Sequence, residues 1–151
     1  ITPEQYEETL QAIYTASLTS QIPIKVTCAP QYSRIIAQHQ QQTDSAAQNP
    51  NRGGGRGCMA GNGFCFISHI GEVYGCGFLP LKVGDIRQQS FSEIYKNSSL
   101  FNQLRNPNLL KGKCGICKYK PLCRGCRARA YSTCKDYLQE EPYCNYTNNV
   151  L

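Results

Sequence analysis

One stretch, Lys113–Arg127 (KCGICKYKPLCRGCR), constrains this chain more than any other. It spaces Cys114, Cys117, Cys123 and Cys126 as C-x2-C-x5-C-x2-C, four thiols within thirteen positions. Thiols crowded this closely cannot all pair comfortably with one another as disulfides. Each short C-x2-C loop instead aims two sulfurs at a common point, which suits one tetrahedral ion or one face of an iron–sulfur cube. The chain is expected to fold around sulfur.

Cys28, Cys58, Cys65, Cys76, Cys134 and Cys144 bring the total to ten in 151 residues. Secreted disulfide scaffolds reach such densities but are usually shorter than about 100 residues, and the cysteines here are clustered rather than spread. A cytoplasmic, reducing setting with thiolate–metal sites fits better. The length allows one domain or a little more, and the absence of tryptophan goes with a modest core. No run approaches the roughly 18 apolar residues of a membrane span. The opening ITPEQYEETL has no signal-peptide character and no initiator Met, so the chain reads as a piece of a longer or processed protein.

The formal charge of +6 treats every thiol as neutral. Eight thiolates on two cubes of core charge about +2 each would contribute roughly −4 and leave a small excess. Between Lys111 and Lys135 there are eight Lys or Arg and no acid, so the positive charge sits with the sulfurs. That placement favours compensation of thiolates over a nucleic-acid surface, which is the competing use of such a run.

Along the chain, Thr2-Pro3-Glu4-Gln5 is a capped helix opening, with Pro at the first helical position and Gln placed to close a capping box. Tyr6, Leu10, Ile13, Tyr14 and Leu18 follow on one helical face. Residues 22–27 (IPIKVT) read as an edge strand and residues 31–42 as a helix. The polar, glycine-rich segment 43–57 is a linker; its glycine run lacks the Lys-Ser/Thr of a phosphate loop. Residues 64–69 and 73–76 form a hairpin about a turn at 70–72. Its alternation puts Cys65 and Ile67 on one face and Phe64 and Phe66 on the other. Ser90-x-x-Glu93 caps a helix continuing through Phe101 and Leu104, and a short helix begins at Cys126. His39 and His69 are expected on the surface.

Taken alone, the Cys114–Cys126 group could be one closed zinc knuckle. Three further sulfurs, Cys58, Cys65 and Cys76, lie on or beside the hairpin, and Cys144 stands alone after the last helix. Three, four and one make two sets of four. Soft thiolate sets admit zinc or iron–sulfur, and spacing does not separate them.

The pattern Cys58…Cys65…Gly71-x4-Cys76, a gap, Cys114-x2-Cys117-x5-Cys123-x2-Cys126, a gap, Cys144 resembles the SPASM domain, the C-terminal module of radical SAM enzymes. The strings GCMAGNGFCFISHIGEVYGCGFLP, LLKGKCGIC and RGCRARAY, with Thr27-Cys28-Ala29-Pro30, look closest to the branch acting on tetrapyrroles: the heme synthases of the alternative heme pathway and their relatives in heme d1 synthesis. The last cysteine pair is C-x2-C where the general pattern has C-x3-C, and the spacing from Cys65 to Gly71 is shorter than usual. Cys58 and Cys65 therefore both remain candidates for the first ligand.

The resemblance implies a small α+β fold, a β-hairpin with short helices and loops wrapped around two [4Fe–4S] clusters. Residues 58–151 would form that domain, 43–57 a linker, and 1–42 the terminal helix and strand elements of a radical SAM barrel. It implies Cys58, Cys65, Cys76 and Cys126 on the first cluster and Cys114, Cys117, Cys123 and Cys144 on the second. The C-x3-C-x2-C motif of the catalytic cluster is absent from this sequence, so S-adenosylmethionine and a third cluster would belong to an N-terminal part. The implied reaction is oxidative decarboxylation of iron-coproporphyrin propionates to vinyls, the module serving electron transfer and substrate binding. The partners implied are a small-molecule tetrapyrrole and an electron donor or acceptor protein, with neither nucleic acid nor membrane. Arg124, Arg127, Arg129 and Cys28 are the candidates for substrate contact, the arginines through propionate pairing. Cys134 fits neither set. Two alternatives stay open: a module of a radical SAM peptide maturase, and a double zinc-binding interaction domain.

Overall fold

The structure, a computed structural model, describes residues 1–42 and 56–147. Most of the sequence-assigned linker at 43–57 lies outside the described residues. Helix α1 (Pro3–Thr19) starts as its sequence dictates: Thr2 Oγ1 accepts from the Gln5 amide and Gln5 Oε1 accepts from the Thr2 amide. Its inward face is Leu10, Tyr14 and Ser17, whereas Leu18, assigned inward by its spacing, is 41 % exposed. Ser17 is accommodated because its hydroxyl donates to the Tyr14 carbonyl within the same turn. Residues 22–27 form no strand. Pro23 removes a ladder donor, Ile22 stays 72 % exposed, and strand-like pairing within the segment is a single bridge at Ile24.

Helix α2 (Gln31–Gln42) lies against α1. Gln31 through Ile36 are all buried, six positions in succession, so this part of the helix is covered on both sides. Tyr32, Ile35 and Ile36 join Leu10 and Tyr14 in one apolar core. His39 extends that face by stacking on Tyr14 at 4.1 Å, and is not on the open surface as its sequence neighbours imply.

The remaining elements build a second core. Strands β1 (Phe66–Ile67), β2 (Glu72–Tyr74) and β3 (Lys82–Asp85) form an antiparallel sheet in that order, with Phe66 opposite Tyr74 and Val73 opposite Gly84. The hairpin is shorter than its sequence pattern and gains a third strand. Gly71, at φ +88°, makes the turn, its amide donating to the Ser68 carbonyl. Both β1 residues are exposed, so its two faces do not divide into a wet and a dry side; Val73 on β2 points inward instead. Helix α3 (Phe91–Asn97) opens on the Ser90–Glu93 capping box but stops at Ser98, which then caps α4 (Ser99–Arg105). The single helix expected there is thus two. The break lets Ile94, Phe101 and Leu104 turn into the core with Val73, Leu79, Ala60 and Ala128. Helices α5 (Gly112–Ile116) and α6 (Arg127–Cys134) complete the fold. Among the described residues no helix is long and apolar enough to cross a membrane. The fold is small and α+β; barrel elements are not distinguishable in α1 and α2.

Truncating Phe101, fully buried at the centre of this core, to Ala should cost about 3–5 kcal/mol. Ser98→Ala, which removes one cap without touching the core, should cost about 1 kcal/mol. Denaturant unfolding of the two variants beside the parent protein measures both.

Candidate metal centre

None of the ten cysteines is in a disulfide, and they sort by exposure. Cys28 and Cys134 are exposed; the other eight are buried or partly buried. Those eight fall in two places. Cys114, Cys117, Cys123 and Cys144 line one cavity. Cys58, Cys65, Cys76 and Cys126 all rest against the second apolar core. The four thiols that the resemblance implies for the second cluster thus line one cavity, and the four it implies for the first pack against one core.

Local backbone sets each position. Cys114 sits on α5, and Cys117 follows as that helix ends. Cys126 stands at the N-cap of α6 without a side-chain cap hydrogen bond, and the nearby Arg129 amide and guanidinium favour charge on its sulfur. Gly125, at φ +60°, reverses the chain between Cys123 and Cys126, and its amide donates to Cys123 Sγ at 3.5 Å. A side chain at Gly125 would be strained at that φ, and its Cβ would come within 2.8 Å of Glu141 Cβ. The Glu141 amide donates to Cys114 Sγ at 3.4 Å. The two groups interlock at Cys58, whose amide donates to the Cys123 carbonyl at 3.0 Å. Gly57 makes that approach possible: a Cβ there would stand 2.1 Å from the Leu122 carbonyl oxygen.

Burial pushes the thiols up, Cys123 to about 12 against the pull of the Gly125 amide. Cys65, Cys76, Cys117, Cys126 and Cys144 are raised by the same cause. Thiols in this condition are poor nucleophiles, yet backbone amides donate to Cys114 and Cys123, and amides beside Cys76, Cys117, Cys126 and Cys144 pull against the effect of burial. Such bonds stabilise sulfur that carries negative charge. The donor set is soft, clustered and pre-furnished for thiolate, and it fits an iron–sulfur cube or another thiophilic metal centre. Among the described residues no three His, Cys, Asp or Glu side chains close on the position of a single ion. The sulfurs surround a gap.

The three candidate substrate arginines differ. Arg127, 2 % exposed, spends its guanidinium inside the chain, on the carbonyls of Gly125, Tyr137 and Gln139 and on Cys114 Sγ. Arg129 is bound to the buried Glu141 at 2.7 Å, to the Cys28 carbonyl, the Tyr6 hydroxyl and Gln31. Arg124 lines the cavity of the second group and makes only long contacts, 3.5 Å each, to the Pro121 and Leu104 carbonyls. Cys28, exposed and at φ +59°, lies by the first group.

Sequence reasoning missed α2 as part of the site. Gln31 and Arg34 line the cavity with the four thiols, and Ser33 Oγ lies 3.4 Å from the Leu122 carbonyl. Polar residues in a glutamine-rich helix look solvent-facing in the sequence. The one available signal is their spacing: Gln31, Arg34 and Gln38 fall on one helical face at i, i+3 and i+7.

A family profile described as the SPASM iron–sulfur cluster-binding domain matches residues 58–127. The AdoMet-dependent heme synthase of Methanosarcina barkeri is 47 % identical over 149 residues, 97 % of this chain and 43 % of that protein. The enzyme of the same name from Nitratidesulfovibrio vulgaris is 43 % identical across 97 % of this chain and 41 % of its own length. A mycofactocin maturase of Mycobacterium tuberculosis is 36 % identical over 92 residues, 58 % of this chain and 23 % of that protein. The chain thus spans about two fifths of the heme synthases it matches.

Alkylation of the metal-loaded protein under anaerobic conditions, read by peptide mass spectrometry, should modify Cys28 and Cys134 well before the other eight. Metal uptake should weaken as the pH falls, because a bound thiolate must first release its proton. Apparent affinity should drop about tenfold per pH unit for each thiol still protonated, which competition with a chelator of known affinity measures.

Proposed function

Residues 58–127 belong to the SPASM family of iron–sulfur cluster-binding domains, and from that premise we propose that the chain is the two-cluster module of a radical SAM enzyme acting on a tetrapyrrole. Cys58, Cys65, Cys76 and Cys126 hold one [4Fe–4S] cluster; Cys114, Cys117, Cys123 and Cys144 hold the other. The observation that carries this reading is the division of eight sheltered thiols into two groups of four, with two exposed thiols left over.

Bound clusters supply one-electron acceptor sites at potentials set by their surroundings. The chain's own residues keep water from the sulfurs and neutralise thiolate charge. Arg127, buried against Cys114 Sγ, and Lys113, whose ammonium donates to the Cys144 carbonyl, place positive charge beside the second group. Among the three arginines, Arg124 keeps the least committed guanidinium and is the one able to meet a substrate carboxylate bidentately. The substrate reading, iron-coproporphyrin decarboxylated to heme, rests on similarity to heme synthases along nearly the whole chain. The maturase likeness covers a smaller share, which favours the tetrapyrrole over a peptide.

Anaerobically prepared protein should contain about eight irons and eight acid-labile sulfides per chain, with broad absorption that bleaches on reduction. Cys76→Ser and Cys123→Ser should each halve that content, and Cys134→Ser should leave it unchanged. Stoichiometric zinc without sulfide overturns the assignment, and iron-coproporphyrin failing to bind the full-length enzyme while a peptide binds overturns the substrate.

A further inference from the structure

The helix that precedes the cysteine domain contributes two buried donors with nothing to donate to. Arg34 is 2 % exposed and Gln31 fully buried, and both line the cavity of Cys114, Cys117, Cys123 and Cys144. Most of the Arg34 guanidinium is committed: its terminal nitrogens donate to both carboxylate oxygens of Glu7 and to Gln38 Oε1, and it lies 5.0 Å over the Tyr146 ring. Its Nε is buried and has no partner among the described residues. Gln31 repeats the arrangement. Its Oε1 accepts from Arg129, which can only donate, so the amide orientation is fixed and Nε2 is the end left over. That Nε2 is likewise buried and unpartnered.

Native folds rarely leave buried donors unmet, and these two stand one helical turn apart on the same face of α2. The third unpartnered buried atom, Glu141 Oε2, lies on the same cavity. It is an acceptor, which sulfur cannot satisfy, and its carboxylate charge is balanced by Arg129. We propose that Gln31 Nε2 and Arg34 Nε donate hydrogen bonds to the sulfur of the second cluster and thereby raise its reduction potential. The inference rests on the two-cluster reading and deepens it. An N–H pointed at sulfur, and a guanidinium beside it, favour the reduced state because that state carries one more negative charge. Glu7 offsets the Arg34 charge from the far side, so the directed N–H remains the part specific to the cluster. The potential of a centre in the cysteine domain is then set partly from residues that lie outside the matched domain.

The test is an EPR-monitored redox titration of the full-length enzyme, with the signals of this module's two clusters assigned from Cys76→Ser and Cys123→Ser and so set apart from that of the N-terminal cluster. Arg34→Lys keeps the charge and loses the Nε donor; Gln31→Leu keeps the bulk and loses the amide. Each should lower the midpoint of the second cluster, up to a tenfold fall in its reduction equilibrium, about 59 mV for one electron, and leave the first in place. Gln31→Glu, which sets an anion where the donor was, should lower it further and serves if Arg34→Lys costs iron. Unchanged midpoints at full iron content, or equal movement of both clusters, overturn the inference. Loss of the two-cluster reading would appear earlier and separately, as zinc or as about half the iron in the parent protein.

Discussion

Thiols that are shielded from water and denied disulfides are the condition on which this fold depends. A buried sulfhydryl is a weak hydrogen-bonding group that behaves as a small apolar side chain, and burial drives Cys123 further toward that neutral form. Cys123 nonetheless receives the Gly125 amide, and amides just after Cys76, Cys117 and Cys144 oppose the same push. The tight turns of the cysteine stretch serve to turn those amides inward. The molecule is arranged for a charge that the bare chain does not carry, and the surrounding Lys and Arg residues answer to it.

Short-range features were legible because short-range physics makes them. Thr2 with Gln5 and Ser90 with Glu93 form reciprocal caps from four residues each, with no help from the rest of the chain. The crowding of Cys114, Cys117, Cys123 and Cys126 was legible because it is written in their spacing, whereas the membership of the two sets of four came only from the family resemblance. Features decided by packing were not. The break at Ser98 comes from turning Ile94 and Phe101 toward one core, and a continuous helix satisfies the local pattern equally well. The third strand follows a register irregularity at Val73 and Tyr74, which no alternation announces. Residues 22–27 carry strand-like composition, yet among them just Ile24 makes a bridge, and composition alone does not supply a partner strand.

The join between the helix pair and the cysteine domain is polar and buried. Arg129 reaches from α6 to Glu141, to the Cys28 carbonyl and to Gln31, while Tyr119 donates to Gln41. Buried charge of this kind contributes little net stability compared with apolar packing, yet losing one partner is costly because it strands the other. Such a joint tolerates few alternative dockings. It therefore fixes how α2 meets the cavity, which greasy contact alone would leave free to slide.

The interlocking of the two sulfur groups also has a consequence in time. A nascent polypeptide that has left the ribosome as far as Lys113 displays Cys58, Cys65 and Cys76 but lacks Cys126, and the cavity of Cys114 must wait for Cys144. On the proposed assignment neither set is whole until the cysteine stretch itself has emerged, the first at Cys126 and the second at Cys144. Inorganic sulfur and iron, on the two-cluster reading proposed above, would be delivered late, onto a chain whose hairpin has already emerged.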